Sequence, residues 1–169
     1  KSVEEFGDIS RAYLNLPPVR GNCIGVITPT GAGGIVVLDA CQDYGFKLVA
    51  FSEDLIEKME PLFLPWQKIM NPLDIMSAGL AHGYKKVYTE ALEALFRDPK
   101  VDSIFCILGE PTLKTVREVV HRYPTKPLVS WVIGQSDDST SGITYPVNYP
   151  SSERALRSLS ALLDHHTFL

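Results

Sequence analysis

The residues best placed to do chemistry lie between Asn22 and Tyr44, in NCIGVITPTGAGGIVVLDACQDY. An apolar run from Cys23 to Ile27 has the length and composition of a buried strand. It breaks at Thr28-Pro29-Thr30-Gly31-Ala32-Gly33-Gly34. Apolar residues return at Ile35, Val36, Leu38, Ala40 and Cys41, a pattern that fits a helix packed on a sheet. A strand, a glycine-rich turn and a helix in that order set bare backbone N–H groups at a helix N-terminus. The dipole and the unpaired donors there suit a phosphate or a carboxylate. Glycines leave no Cβ between the backbone and an anion. Two readings stand for Thr30, Gly31, Ala32, Gly33 and Gly34: an anion seat, or the plain tight turn of an α/β domain. The spacing is neither the dinucleotide fingerprint nor a Walker A loop, since no lysine follows Gly34. Glu53 and Asp54, at the distance of a ribose-binding acid, read instead as first-turn residues of a later helix.

The remaining chemical groups are dispersed. His82 precedes Gly83 in an expected loop, His121 falls late in an expected helix, and His165 and His166 lie in a tail. None forms a Ser-His-Asp or Cys-His constellation. Asn71 and Asp74 make a compact polar pair, suited to turn formation by side-chain-to-backbone bonds or to a place beside a site. Glu110 sits just past a strand end, where it is either a functional carboxylate or a helix cap. No set of residues makes a complete active site.

Composition narrows the classes. The chain has 169 residues, 45% apolar and 21% charged, enough for one domain with a real core. A net charge of −4 gives no electrostatic case for nucleic acid or an anionic membrane. No apolar run reaches the length that spans a bilayer. Cys23, Cys41 and Cys106 lie in apolar settings and read as buried free thiols of a reducing, cytoplasmic compartment. No two are close in sequence and none is paired with a histidine, so no zinc site is expected.

The elements that must position these groups follow from periodicity and punctuation. Ser2 to Leu14 reads as an amphipathic helix, closed by Leu16-Pro17-Pro18. After the Cys23–Ile27 strand, a helix over about Gly33 to Tyr44 ends at Gly45, a natural C′ residue. Phe46 to Phe51 reads as a second strand, and Ser52 caps a helix through about Glu60. Pro61 to Met70 is less regular, and Asn71 to Ile75 reads as a loop. A helix over Gly83 to Phe96, a strand within Val101 to Leu108, and a helix from Pro111 to Tyr123 follow. Then come a strand over Leu128 to Ile133, a polar loop from Gly134 to Ser141, an extended segment over Ile143 to Val147, and a closing helix capped by Ser151 or Ser152. Strands alternating with helices predict a three-layer, doubly wound α/β parallel sheet with helices on both faces, whose first loop lies at the switch point if the strand order is flavodoxin-like. Ligands of such sheets sit beyond the strand C-termini at the switch point of strand order. Thr28 to Gly34 and Gly109 to Thr112 should both lie there.

The segments GVITPTGAGGIVVLDACQDYG, FSED, NPLDI, YTEALEALFRDPKVDSIFCIL, KPLVSW and YPSSERALRSLSALL occur here in this order. That order resembles the nucleoside-diphosphate-forming acyl-CoA synthetases, the succinyl-CoA synthetase superfamily. The match runs from about Ser2 to Leu163. It is similar to their second flavodoxin-like ligase domain, the counterpart of the carboxy-terminal domain of the succinyl-CoA synthetase β subunit. The resemblance implies an acid–thiol ligase that interconverts acyl-CoA, phosphate and nucleoside diphosphate with acid, CoA and nucleoside triphosphate through a phosphohistidine. It implies that Thr30 and Gly31 to Gly34 form a helix N-terminus that stabilises a phosphohistidine carried by a partner domain. Asn71, Pro72 and Asp74 match the family's Asn-Pro-x-Asp, with an implied role in shaping the loop or an interdomain contact.

None of the four histidines has the setting of the family's phosphorylated one, so no catalytic residue is expected in this chain. The first residue is Lys1, and the resemblance implies one domain excised from a longer enzyme. Residues 1–20 would be a leading helix and linker and 21–165 the flavodoxin-like domain. Its partners would be CoA-binding, histidine-bearing and ATP-grasp domains, with neither nucleic acid nor membrane among them. No cofactor would be held tightly here, while the full enzyme would use CoA, ATP or ADP, phosphate and magnesium. Two alternatives stand beside this. One is a non-catalytic, acyl-CoA-sensing domain of a protein acyltransferase. The other is a generic flavodoxin-like binding module, although Thr28 and Thr30 alone are a poor flavin-phosphate cluster.

Overall fold

The computed structural model describes residues 2–133 and 147–167. Helix α1 (Val3–Asn15) is started by Ser2, whose hydroxyl accepts from the Glu5 N–H at 3.2 Å. Strand β1 (Cys23–Thr28) leads into α2 (Gly31–Asp43), β2 (Lys47–Leu48) and α3 (Glu53–Met59). A short 3-10 turn over Glu60–Leu62 precedes β3 (Leu73–Asp74), α4 (Met76–His82) and α5 (Tyr84–Arg97). Strand β4 (Ser103–Leu108), α6 (Leu113–Arg122), β5 (Leu128–Val132), β6 (Val147–Tyr149) and α7 (Ser152–Thr167) complete the order.

The sheet runs β2-β1-β4-β5-β6, every pairing parallel, with the two-residue β3 beside β1. Leaving β3 aside, this is the 2-1-3-4-5 order of flavodoxin-like doubly wound sheets, and it realises the parallel, helix-covered sheet that the alternation of elements predicts. Strand residues alternate between two cores. Ile24 and Val26 of β1 and Phe105 and Ile107 of β4 pack under α1, α2 and α7. Ile27, Ile104, Cys106 and Leu108 pack on the other face under α3, α4, α5 and α6. The strand order reverses between β1 and β4, so α2 and α6 start at neighbouring strand ends on opposite faces.

Several local expectations change in the folded chain. Asn71 to Ile75 is not wholly a loop, because β3 pairs Leu73 with Ile27 and Asp74 with Thr28. The expected strand over Phe46 to Phe51 shrinks to Lys47–Leu48. Both changes have one cause. The Asn71 carboxamide enters the gap between β2 and β3. Its Nδ2 donates to the Ile24 carbonyl at 2.7 Å and the Val49 carbonyl at 3.1 Å, and its Oδ1 accepts from the Val26 N–H at 3.0 Å. One side chain thus stands where a peptide group opposite Gly25 would stand. Helix α4 is a further difference, and His82 lies in its last turn rather than in a loop. Gly83, at φ +86°, turns α4 into α5. Pro111 lies in a 3-10 turn (Glu110–Thr112) and α6 begins two residues later. Gly45 has φ +78° at the end of α2, the conformation expected of its C′ position. The edge strand is centred on Asn148. The polar loop over 134–141 and residues 143–146 of the expected extended segment lie outside the described residues.

Helix α1 is bonded to the end of the chain by a buried charge. Asp8 is 2% exposed. Its carboxylate accepts from Arg154 Nε at 2.6 Å and Nη2 at 3.0 Å, and from Arg11 Nη2 at 2.8 Å. Tyr149 donates to the Asp8 carbonyl at 3.3 Å, and Tyr13 donates to the Ala161 carbonyl at 3.1 Å. Removing one partner of a buried ion pair leaves uncompensated charge. Asp8→Ala should therefore lower unfolding stability by about 2–3 kcal/mol, less than for a fully buried pair because the guanidiniums remain partly hydrated. Urea titration measures the loss. Faster amide exchange in α1 than in β4 should accompany it.

Candidate functional site

The turn between β1 and α2 is organised by two threonines. Thr28 Oγ1 donates to the Thr30 carbonyl at 2.6 Å and accepts from the Thr30 N–H at 3.1 Å. Thr30 is the N-cap of α2, extended at φ −148° and ψ 142°, and its Oγ1 accepts from the Gly33 N–H at 3.0 Å. The Gly34 N–H bonds to the Thr30 carbonyl at 3.2 Å. Gly33 and Gly34 are therefore engaged inside the helix. The N–H groups of Gly31 and Ala32 have no acceptor among the described residues, and both residues are exposed. The helix carries no acidic residue in its first turn, unlike α1, α3 and α7. Its N-terminal dipole is thus left to other groups.

Gly33 is a glycine for packing reasons. A Cβ there would lie 2.7 Å from Ile107 Cδ1 and 2.9 Å from Thr28 Oγ1. Its absence lets the start of α2 close onto β4, which holds the free donors just beyond the strand ends.

Asp74 is brought beside this turn by β3. A Cβ on Gly31 would lie 3.3 Å from Asp74 Oδ2. The other carboxylate oxygen, Oδ1, accepts from the Met76 N–H at 3.0 Å and starts α4. Gln67 fixes the same segment: its Nε2 donates to the Asp74 carbonyl at 3.0 Å, and Ser77 donates to its Oε1. Asn71 is not at the anion seat itself, because its carboxamide is consumed in the sheet edge. It leads instead into Pro72 and Asp74, which are. Glu110 opens the 3-10 turn after β4, at the same end of the sheet and one strand away.

A shallow notch of ≈ 130 Å³ lies alongside the turn, lined by Gly31, Gly34, Ile35, Leu38, Pro72 and Asp74, with Thr28 at its base. Sequence reasoning misses this feature, because Pro72 and Ile35 are far apart in the chain. The described histidines are elsewhere: His82 and His121 end helices, and His165 packs edge-on against Tyr13. The thiols are not poised as nucleophiles. Burial pushes Cys41 up to about 12 and raises Cys23 and Cys106 as well. Among the described residues no group of three or more His, Cys, Asp or Glu could hold a metal ion. No helix among them is long and apolar enough to cross a membrane.

The site is thus that of a flavodoxin-like α/β domain with an anion-compatible helix start at its switch point. The ligase-CoA domain family matches residues 24–135, and the chain belongs to that family. It is 33% identical over 145 residues to an ADP-forming acetate–CoA ligase II of Archaeoglobus fulgidus, covering 80% of this chain and 21% of that protein. It is 29% identical over 174 residues to the α subunit of an ADP-forming acetate–CoA ligase I of Pyrococcus furiosus, covering 95% of this chain and 36% of that one. Its fold matches a Korarchaeum cryptofilum acetyl-coenzyme A synthetase 1, solved with phosphate and ADP. There the TM-score is 0.81 at 24% identity, over 99% of this chain and 38% of the other. The chain therefore spans between about a fifth and two fifths of the length of these relatives.

Asn71 is the support of the whole turn. Asn71→Ala would leave the Ile24 and Val49 carbonyls and the Val26 N–H without their partner, a loss of about 2–4 kcal/mol in a denaturant titration. Asn71→Asp should be no better at neutral pH, since its carboxylate would face the two carbonyl oxygens that Nδ2 now serves.

Proposed function

We propose that this chain is the second flavodoxin-like domain of an ADP-forming acyl-CoA synthetase. On this reading the whole enzyme converts acyl-CoA, phosphate and ADP to acid, CoA and ATP, and the phosphoryl group travels on a histidine. The domain's part is electrostatic. The start of α2 receives the phosphoryl group of a histidine presented by another domain of the same enzyme. Thr30 shapes the turn, and the N–H groups of Gly31 and Ala32 donate to the phosphoryl oxygens. Donors held in place before the ligand arrives need no reorganisation as charge develops. CoA, the nucleotide and magnesium enter through other domains.

The observation that carries this reading is the pair of free N–H donors at Gly31 and Ala32, on a helix whose first turn holds no acid. Family membership supports it, as do the names of the relatives that contain this domain. The isolated chain is expected to form no acyl-CoA.

Gly31→Pro tests the reading with little disturbance to the fold. Proline is accepted at the first position of a helix, where the lost N–H makes no intrahelical bond. The preceding residue, Thr30, already has the extended backbone that proline demands. In the full-length enzyme this variant should lower the rate of phosphoenzyme formation by about a hundredfold, the scale of one lost oxyanion donor. Phosphoenzyme forming at the parent rate in a folded Gly31→Pro protein would overturn the reading.

A further inference from the structure

The segment between α3 and β3 exposes apolar side chains that the fold does not use. Leu64 is 41% exposed, Met70 59% and Trp66 76%. A lone exposed leucine is ordinary, but large apolar residues gathered in one short segment mark a contact surface. The segment is not loose. The Phe63 N–H bonds to the Glu60 carbonyl at 3.1 Å, and the Gln67 N–H to the Leu64 carbonyl at 2.9 Å. Gln67 Nε2 ties the same turn to the Asp74 carbonyl at 3.0 Å. Its shape is therefore set before any partner arrives, which lowers the cost of binding.

This segment carries both a recess and a knob. The recess is an open groove of ≈ 500 Å³. Ile56, Phe63 and Ile69 form its floor and pack on the core behind it, and Leu64 and Met70 flank it. Glu60 and Lys68 are its charged lining residues. Neither has an ion pair or a side-chain hydrogen bond among the described residues, whereas Lys58 of α3 is paired with Glu90 at 3.1 Å. Trp66 is the knob. It stands between the lining residues Pro65 and Gln67 and does not line its own groove.

A knob beside a recess, with one anion and one cation on the recess, makes a self-complementary surface. A small ligand in the groove leaves the indole in water. A second copy of the chain meets every requirement. A two-fold axis between the copies sets each Trp66 in the other's groove, with Glu60 of each beside Lys68 of the other. Both contacts form at once and the assembly closes at two. A head-to-tail contact would leave one knob and one groove open.

We infer that this face is the interface of an isologous dimer of this chain, anchored in both directions by Trp66. The inference depends neither on the α2 turn nor on the proposed function. Tryptophan is enriched among the residues that carry binding energy, and burying one indole removes about 150–250 Å² from water. Two indoles and the grooves around them bury about 600–1,000 Å² in all, less than a standard interface. The dimer is accordingly weak, with a Kd of about 10–100 µM.

Sedimentation equilibrium of the full 169-residue chain should show the 18.7 kDa monomer passing to twice that mass as concentration rises through about 10–100 µM. Over the same range the indole N–H resonance of Trp66 should shift and that of Trp131 should not. Trp66→Ala, at a position the fold leaves in solvent, should raise the Kd about a hundredfold. Glu60→Lys and Lys68→Glu should each weaken the dimer about tenfold by setting like charges opposite one another. The double variant Glu60→Lys/Lys68→Glu should return the Kd to within about threefold of the parent, because the pairs are remade with their signs exchanged. A chain still monomeric at about 1 mM, or a dimer that Trp66→Ala leaves intact, would overturn the inference. A double variant no tighter than the single ones would do the same, since remote effects of the two charges add and do not cancel.

Discussion

The arrangement of this domain depends on one carboxamide. The edge of the sheet beside β1 is broken: β2 pairs with its first residues and β3 with its last. Between them, Asn71 gives β1 both the donor and the acceptor that a continuous strand would have given. A broken edge would otherwise leave buried peptide groups unpaired, which is costly. Because the bridge is a side chain, the main chain at Asn71 is free to turn toward α2. Pro72 then lies over Gly34 and Asp74 beside Gly31. A continuous β2 would have closed the edge and carried the chain past the turn.

The electrostatics of the α2 start follow from that geometry. Two N–H groups point out of the helix end, and a carboxylate from β3 lies beside them. Asp74 moderates the helix dipole in the absence of a ligand, as first-turn acids do in α1 and α3. It supplies that charge from outside the helix and uses only one oxygen to start α4. Hydrogen-bond donors and a carboxylate thus stand side by side at this helix end. An apolar wall of Ile35, Leu38 and Pro72 borders them.

The opposite side of α2 is anchored. Val37, Ala40 and Cys41 pack into the core shared with α7, and α7 is tied to α1 through Asp8. Three helices and a buried ion-pair network on one face of the sheet hold α2 in place. The leading helix thus belongs to the packing that supports the turn as well as to the entry of the chain.

What the amino-acid sequence determined by itself was local. Strands β1, β4 and β5, the cap residues Ser2 and Ser52, the left-handed Gly45 and the strand–turn–helix unit at Thr28 to Gly34 are legible because their signals span a few neighbouring residues. The doubly wound class follows from the alternation of those elements. The tertiary structure alone decided the rest. It made β3 a strand, ended β2 early and assigned Asn71 to the sheet edge. Which glycine N–H groups are consumed, and that Asp74 and Pro72 border α2, also became visible only in the folded chain. Apart from the glycine N–H groups, whose partner Thr30 is only three or four residues away, each of these depends on a partner some 20 to 50 residues distant in sequence. Periodicity and propensity record what a residue does to its neighbours along the chain. They do not record which peptide group across the sheet lacks a partner, and here that vacancy is what positions the site.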